Sequence, residues 1–321
     1  MQQGLNEALR EAMAADESVI VLGEDIGDKE GGGTFKVTSG LSTEFGTSRV
    51  RTTPISEQAI VGAAVGAAVA GLRPVAEIML MNFVTVAMDQ LVNHAAKLRY
   101  MSGGQTHVPL TIRTATGAGG GFGGQHSDML EAWLAHVPGL TVVVPSSPAE
   151  AKGLLLSSIF DDDPVVVVEH TQMYWTKGPA PEPGARIPLR TANVAREGRD
   201  VSVITYGRPV GQSLQLAEKL AGEGIDVEVV DLRTVAPWDS RTVLESVAKT
   251  RRAIVVHEAV GRFGVGAEVS ATISEELLGE LASPVVRVTS RDSAVPFAPH
   301  LEQAYLYQMS DVEDAIRKAV S

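Results

Sequence analysis

Residues 53–62 (TPISEQAIVG) set one carboxylate, Glu57, at the mouth of a charge-free run that continues to Leu72. A serine, an acid and then small apolar residues predict a buried helix over 57–70 with Glu57 in its first turn. Acids are rarely buried without a partner. Glu57 is therefore either a helix-start charge meeting the macrodipole or a group held for proton chemistry.

A second concentration of chemistry lies at 117–126. Six glycines in the eight residues GAGGGFGG are followed by Gln125, His126 and Ser127. Such a backbone can approach a ligand closely, or it can be a floppy surface loop. The formal G-x-G-x-x-G in it lacks the later acid of a dinucleotide site, and no Walker A sequence occurs. His126 is expected just before a helix start, where the dipole favours the neutral imidazole that can take or give a proton; a capping or surface histidine is the alternative. Of the seven histidines, no two have helical metal-pair spacing, so a protein-only metal centre is not expected. Glu24 closes the first predicted strand, where acids either face a ligand crevice or are ordinary loop charges. Phe83 and Met79 flank the end of another strand, and either pack the core or line an apolar slot for a flat heterocycle.

Elements able to position these residues follow from periodicity. Short Val/Ile/Leu runs at 19–23, 74–80, 109–113, 140–144 and 164–169 alternate with helical patterns at 5–15, 57–70, 84–101, 128–135 and 148–159. That alternation predicts an α/β fold with mainly parallel sheets covered on both faces. A Pro/Gly-rich stretch at 179–199 reads as a linker between domains at 1–178 and 200–321. The second domain repeats the alternation, with strands at 201–206, 227–231, 253–257 and 285–288. Its helices fall at 210–221, 241–249, 266–278 and 311–320, the last capped by Ser310.

A chain of 321 residues with net charge −12 can bury two cores but lacks the basic face a nucleic-acid binder needs. With no cysteine, disulfides, iron–sulfur clusters and thiolate chemistry are excluded. Residues 1–17 show no export pattern and 59–72 is too short to span a bilayer, so the expectation is a soluble cytoplasmic protein with no membrane partner.

Over essentially its full length the chain resembles the β subunits of the thiamine-diphosphate-dependent 2-oxo acid dehydrogenases (pyruvate, branched-chain and acetoin types). The resemblance rests on 53–62 (TPISEQAIVG), 71–77 (GLRPVAE), 95–104 (AAKLRYMSGG), 124–127 (GQHS), 137–140 (VPGL), 151–155 (AKGLL) and 163–169 (DPVVVVE). It implies a transketolase-like pyrimidine-binding domain followed by a transketolase C-terminal-like domain for dimerisation and core docking.

The resemblance also implies roles. Glu57 would hydrogen-bond the aminopyrimidine ring of thiamine diphosphate and favour its imino tautomer. Phe83 would stack on that ring, with Ile55 and Met79 as apolar contacts. His126 would be the active-site histidine near the reacting carbonyl, and Glu24 part of a proton relay between two active sites. Leu110, Ser158, Ile159, Asp161 and Asp163 fall where some members hold a monovalent cation such as K+, largely through backbone oxygens. No Gly-Asp-Gly segment for the diphosphate and its Mg2+ is present, so that half would belong to an α subunit in an α2β2 heterotetramer, with a dihydrolipoyl acyltransferase core as further partner. Gly62 and Gly66, one turn apart, suit a close helix–helix contact between subunits. The function implied is oxidative decarboxylation of a 2-oxo acid, pyruvate favoured, with acyl transfer to a lipoyl group. Acetoin and branched-chain variants are the alternatives. A purely scaffolding subunit is disfavoured because Glu57 and His126 are both present.

Overall fold

Runs such as VIVLGE, VVVV and VEVV can only be satisfied between two layers of helix, and they become the centres of two sheets. The structure is a computed structural model describing residues 1–321. Its strands are β1 (Val19–Glu24), β2 (Val50–Thr53), β3 (Arg73–Ile78), β4 (Thr111–Thr116), β5 (Thr141–Val143), β6 (Val165–His170), β7 (Asn193–Arg196), β8 (Val201–Thr205), β9 (Val227–Asp231), β10 (Thr234–Ala236), β11 (Ala253–Val260) and β12 (Val286–Ser290). The α-helices are α1 (Gln2–Ala15), α2 (Leu41–Phe45), α3 (Glu57–Val69), α4 (Met81–Val84), α5 (Leu98–Met101), α6 (Glu131–Ala135), α7 (Pro148–Ile159), α8 (Arg208–Ala221), α9 (Ser240–Thr250), α10 (Val265–Glu276), α11 (Pro299–Tyr305) and α12 (Met309–Val320).

The first sheet has seven strands in the order β10-β5-β6-β4-β3-β1-β2, and all pairs are parallel except β10 with β5. The second has five, in the order β12-β11-β8-β9-β7, parallel except for β7 with β9. The doubly covered α/β architecture is thus as expected. Besides the short edge strand β2, which the sequence reading lacks, two details differ. β7 lies inside the stretch read as linker and forms the edge of the second sheet, while β10, from well beyond residue 200, adds an edge strand to the first. One apolar core spans both sheets, from Ile60 and Val61 on α3 through Leu134 to Ile204 and Val243.

The helix expected over 84–101 is present only as a right-handed path of changing register: α4, a 3-10 turn (Thr85–Ala87), an i to i+5 stretch (Gln90–Ala95) and α5. Ala96 N–H donates to Leu91 O across that widened turn, the kind of local expansion that re-aims side chains. The last helix starts earlier than expected: Gln308 precedes it, and Ser310 lies inside its first turn. No helix is long and apolar enough to cross a membrane.

Candidate active site

In open parallel sheets ligands bind beyond the carboxyl ends of the strands, and here the sheet order decides which residues meet. Along β4-β3-β1-β2 the ends of adjacent strands present, in sequence, the 117–126 loop with His126, then Met79 and Phe83, then Glu24, then Ile55 and Glu57. Register supports the alignment: Glu24 lies opposite Thr53, and Thr116, which ends β4, leads into the glycines. Residues that are 24 to 126 in the sequence thereby share one edge of one sheet.

Glu57 is the first residue of α3. The charge-free helix behind it is not buried all round, contrary to the sequence reading. Ile60, Val61, Ala64, Val65 and Ala68 face the core, whereas Ala59, Ala63, Gly66 and Val69 face outward. Glu57 itself is only half-buried, and Ile55 is 83% exposed. The shielding expected for this acid is not supplied by this chain alone. Beneath it, Glu24 is buried, and desolvation, followed by the neighbouring charges of Glu57 and Asp25, pushes its carboxyl above the ordinary range against a smaller opposing effect of the Ser56 backbone N–H. Two acids are thus close enough to feel each other at the mouth of the β1 and β2 ends.

On the other side of β3, Met79 and Phe83 are partly buried. Thr34 Oγ1 donates to Met79 Sδ at 3.7 Å. Phe83 packs against the large core and offers its ring to His126, edge to face, with centroids 5.4 Å apart. The helix expected directly after His126 begins only at Glu131 and has five residues, so a dipole effect on this imidazole does not apply. Its placement comes instead from Asn82. The Asn82 amide donates to Gly124 O at 3.4 Å and to Asp128 Oδ2 at 2.9 Å, and its own oxygen accepts from Asp128 N–H at 3.3 Å. The residue beside Phe83 therefore grips both flanks of His126. Asn82 was not singled out from sequence; its position between the apolar residues Met81 and Phe83 was the available signal.

The fit of a flat heterocycle can be judged from these side chains. An exposed isoleucine, a thioether, a phenyl ring and an acid at a helix start offer apolar surface and one acceptor at neighbouring strand ends, a set whose chemistry suits an aminopyrimidine ring. Ile55 exposed in water is the kind of apolar group that a ligand or partner covers. The residues fit the ring end of thiamine diphosphate.

Glu77, Arg113 and Glu169 belong to a different device. Arg113 is fully buried and donates to Glu169 Oε1 and Oε2 at 2.8 and 2.7 Å and to Glu77 Oε2 at 2.5 Å, while Tyr174 OH donates to Glu169 at 2.6 Å. This network bridges β3, β4 and β6 under the site and is structural.

The expected cation ligands are arranged around arginines. Leu110 O accepts from Val165 N–H, and Ile159 O and Asp161 O both accept from Arg73 Nη1 at 3.3 and 3.0 Å. The carboxylates of Asp161 and Asp163 pair with Arg190 and Arg99, and Ser158 Oγ donates back to Leu154 O. No group of three or more His, Cys, Asp or Glu could hold a metal ion. Guanidinium charge thus serves the Ile159 and Asp161 carbonyls and the Asp161 and Asp163 carboxylates, whereas Leu110 and Ser158 meet only backbone groups.

The family model for the transketolase pyrimidine-binding domain matches residues 1–176, and that for the transketolase C-terminal domain matches residues 190–312. Among curated relatives, the acetoin:2,6-dichlorophenolindophenol oxidoreductase subunit beta of Cupriavidus necator is 45% identical over 98% of this chain and 96% of its own length. The pyruvate dehydrogenase E1 component subunit beta of Bacillus subtilis (strain 168) is 44% identical over 100% and 98%, and a mitochondrial counterpart from Arabidopsis thaliana is 42% identical over 99% and 88%. Among solved structures, a split-gene transketolase described as an inactive beta4 tetramer superposes with a TM-score of 0.81, covering 99% of this chain and 97% of that one at 24% identity, which supports the fold alone.

Proposed function

The chain belongs to the family of β subunits of the thiamine-diphosphate-dependent 2-oxo acid dehydrogenases, and on that premise we propose that it supplies the ring-binding half of a decarboxylase completed by an α subunit. The observation that carries this reading is the row of Glu57, Glu24, Phe83 and His126 along adjacent strand ends, with His126 held against Phe83.

Thiamine diphosphate, when bound, supplies the electron sink that lets a 2-oxo acid lose carbon dioxide. The residues of this chain do the rest of their work around it. Ile55, Met79 and Phe83 bind the ring's faces and exclude water. Glu57 presents a carboxylate oxygen to a ring nitrogen and holds a proton there; covering by the α subunit would supply the desolvation that such a role needs. Glu24, whose carboxyl is pushed up by burial and by the charges of Glu57 and Asp25, takes part in the proton relay between two active sites. His126 gives a proton, or positions the lipoyl group, when the acyl group is transferred.

Mg2+ and the diphosphate are assigned to the α subunit. An α2β2 assembly, docking to a dihydrolipoyl acyltransferase core and a cytoplasmic location complete the proposal. The outward apolar face of α3 supports a partner at that edge. Pyruvate is the proposed substrate, and acetoin is a second reading because relatives carrying the two names are equally similar, at 44% and 45% identity. Reconstitution with the α subunit, followed by turnover on pyruvate, acetoin and 3-methyl-2-oxobutanoate, tests it. Turnover of pyruvate only by the reconstituted pair supports the proposal; no turnover of any of the three would overturn it.

A further inference from the structure

Glu302 is buried at 3% exposure and has no cationic partner. Its carboxylate instead accepts from Gly119 N–H at 2.7 Å and from Gly121 N–H at 3.2 and 3.1 Å. An acid removed from water is costly unless its lone pairs are satisfied, and here they are satisfied by the loop that leads to His126. The glycines at 117, 119, 121 and 123 all have φ between +71° and +106°, and alternating positive φ turns successive N–H groups toward one anion.

A second acid does the same one residue earlier. Glu258, also buried, accepts from Ala118 N–H at 2.7 Å and pairs with His170 Nε2 at 2.8 Å. His170 Nδ1 accepts from Gln172 N–H, which leaves the proton on Nε2 to donate to Glu258. Farther along the loop, Gly123 lies so close to the Phe297 ring that a Cβ would sit 2.4 Å from it, and Gly124 lies against Ala294 and Val295. The loop is clamped by residues 294–302 and by β11, all from the C-terminal half of the chain.

We infer that Glu302, assisted by Glu258, is a positioning residue: it fixes the 117–124 backbone so that His126 is delivered to the Phe83 ring. The inference rests on the function proposed above and assigns the C-terminal domain a part in the site beyond assembly.

The test uses the complex reconstituted with the α subunit. Glu302→Gln keeps the shape and removes the charge that the two amides face. Hydrogen exchange at 117–126 is expected to rise about tenfold in this variant, with the rest of the first domain unchanged. Reductive acylation of a lipoyl domain is expected to slow by about 10–100-fold in kcat, at a KM for the 2-oxo acid within about twofold of wild type. Substrate-dependent reduction of 2,6-dichlorophenolindophenol, which needs no lipoyl transfer, stays near the wild-type rate. If Glu302 acts through His126, Glu302→Gln/His126→Ala is no slower than His126→Ala alone. Unchanged exchange, or a double variant slower by the full factor of Glu302→Gln, overturns the inference. Full lipoyl acylation by His126→Ala would instead overturn the functional reading beneath it, whatever the exchange shows.

Discussion

The imidazole of His126 stands edge-on to the phenyl ring of Phe83, with ring centroids 5.4 Å apart and planes at 82°. Edge-to-face pairs contribute about 0.5–1.5 kcal/mol beyond the area they bury. Phe83→Leu keeps an apolar surface but removes both the ring face and this contact. The thiamine diphosphate concentration giving half-maximal activity of the α/β complex is expected to rise by roughly 3–10-fold. A cofactor titration that superposes on wild type would mean that the slot lies elsewhere.

Asp231, at the end of β9, is buried where the two sheets meet; it accepts from Ser146 OH and Arg233 N–H. Burial pushes its carboxyl up to about 7 despite those hydrogen bonds. In the folded state the proton is retained above the pH at which the unfolded chain releases it, so stability falls as pH rises from about 4 to about 7. Asp231→Asn is expected to flatten that part of the profile and to gain about 2–4 kcal/mol above pH 7. Urea melts between pH 4 and 8 measure it, and parallel profiles for the two proteins would count against a buried protonated Asp231.

Arg113 separates two buried carboxylates. Arg113→Met leaves Glu77 and Glu169 facing each other without a cation, and loss of one partner from a buried ion network costs about 3–5 kcal/mol. A drop of that order in unfolding free energy is expected from denaturant titration. A change within about 0.5 kcal/mol, as for an ordinary surface substitution, would contradict the role given to the network.

Much of this was legible because the local signals were strong and independent of distant parts of the chain. α7 emerges with the expected bounds: Ser147 accepts from Glu150 N–H and Pro148 opens the helix. β9 does too, with three valines among five buried residues. β2 escaped notice because only Val50 of its four residues is buried, and β10 because three residues carry no period. At the site, Glu57, Phe83 and His126 could be singled out by type and context. Glu302 could not, since its meaning lies in amides 183 and 181 residues away. The burial expected for Glu57 failed for a related reason. Composition shows that α3 is apolar all round, but not which face the rest of this chain leaves exposed.

That open face gives a clean test. A Cβ at Gly66 would meet nothing within 4 Å, so Gly66→Leu should leave the fold of this chain and its melting temperature nearly unchanged. In sedimentation velocity with the α subunit it is expected to weaken assembly by at least about tenfold, as overpacking at a close helix contact does. Wild-type assembly by this variant would remove α3 from the interface.

Glu57 offers the most direct measurement. In the reconstituted α/β complex, dye-linked decarboxylation by Glu57→Gln should fall by about 100-fold or more, the scale of a lost proton-transfer group, with assembly and melting temperature as in wild type because the side chain is only half-buried here. Wild-type turnover by a fully assembled Glu57→Gln complex would contradict the account at its centre.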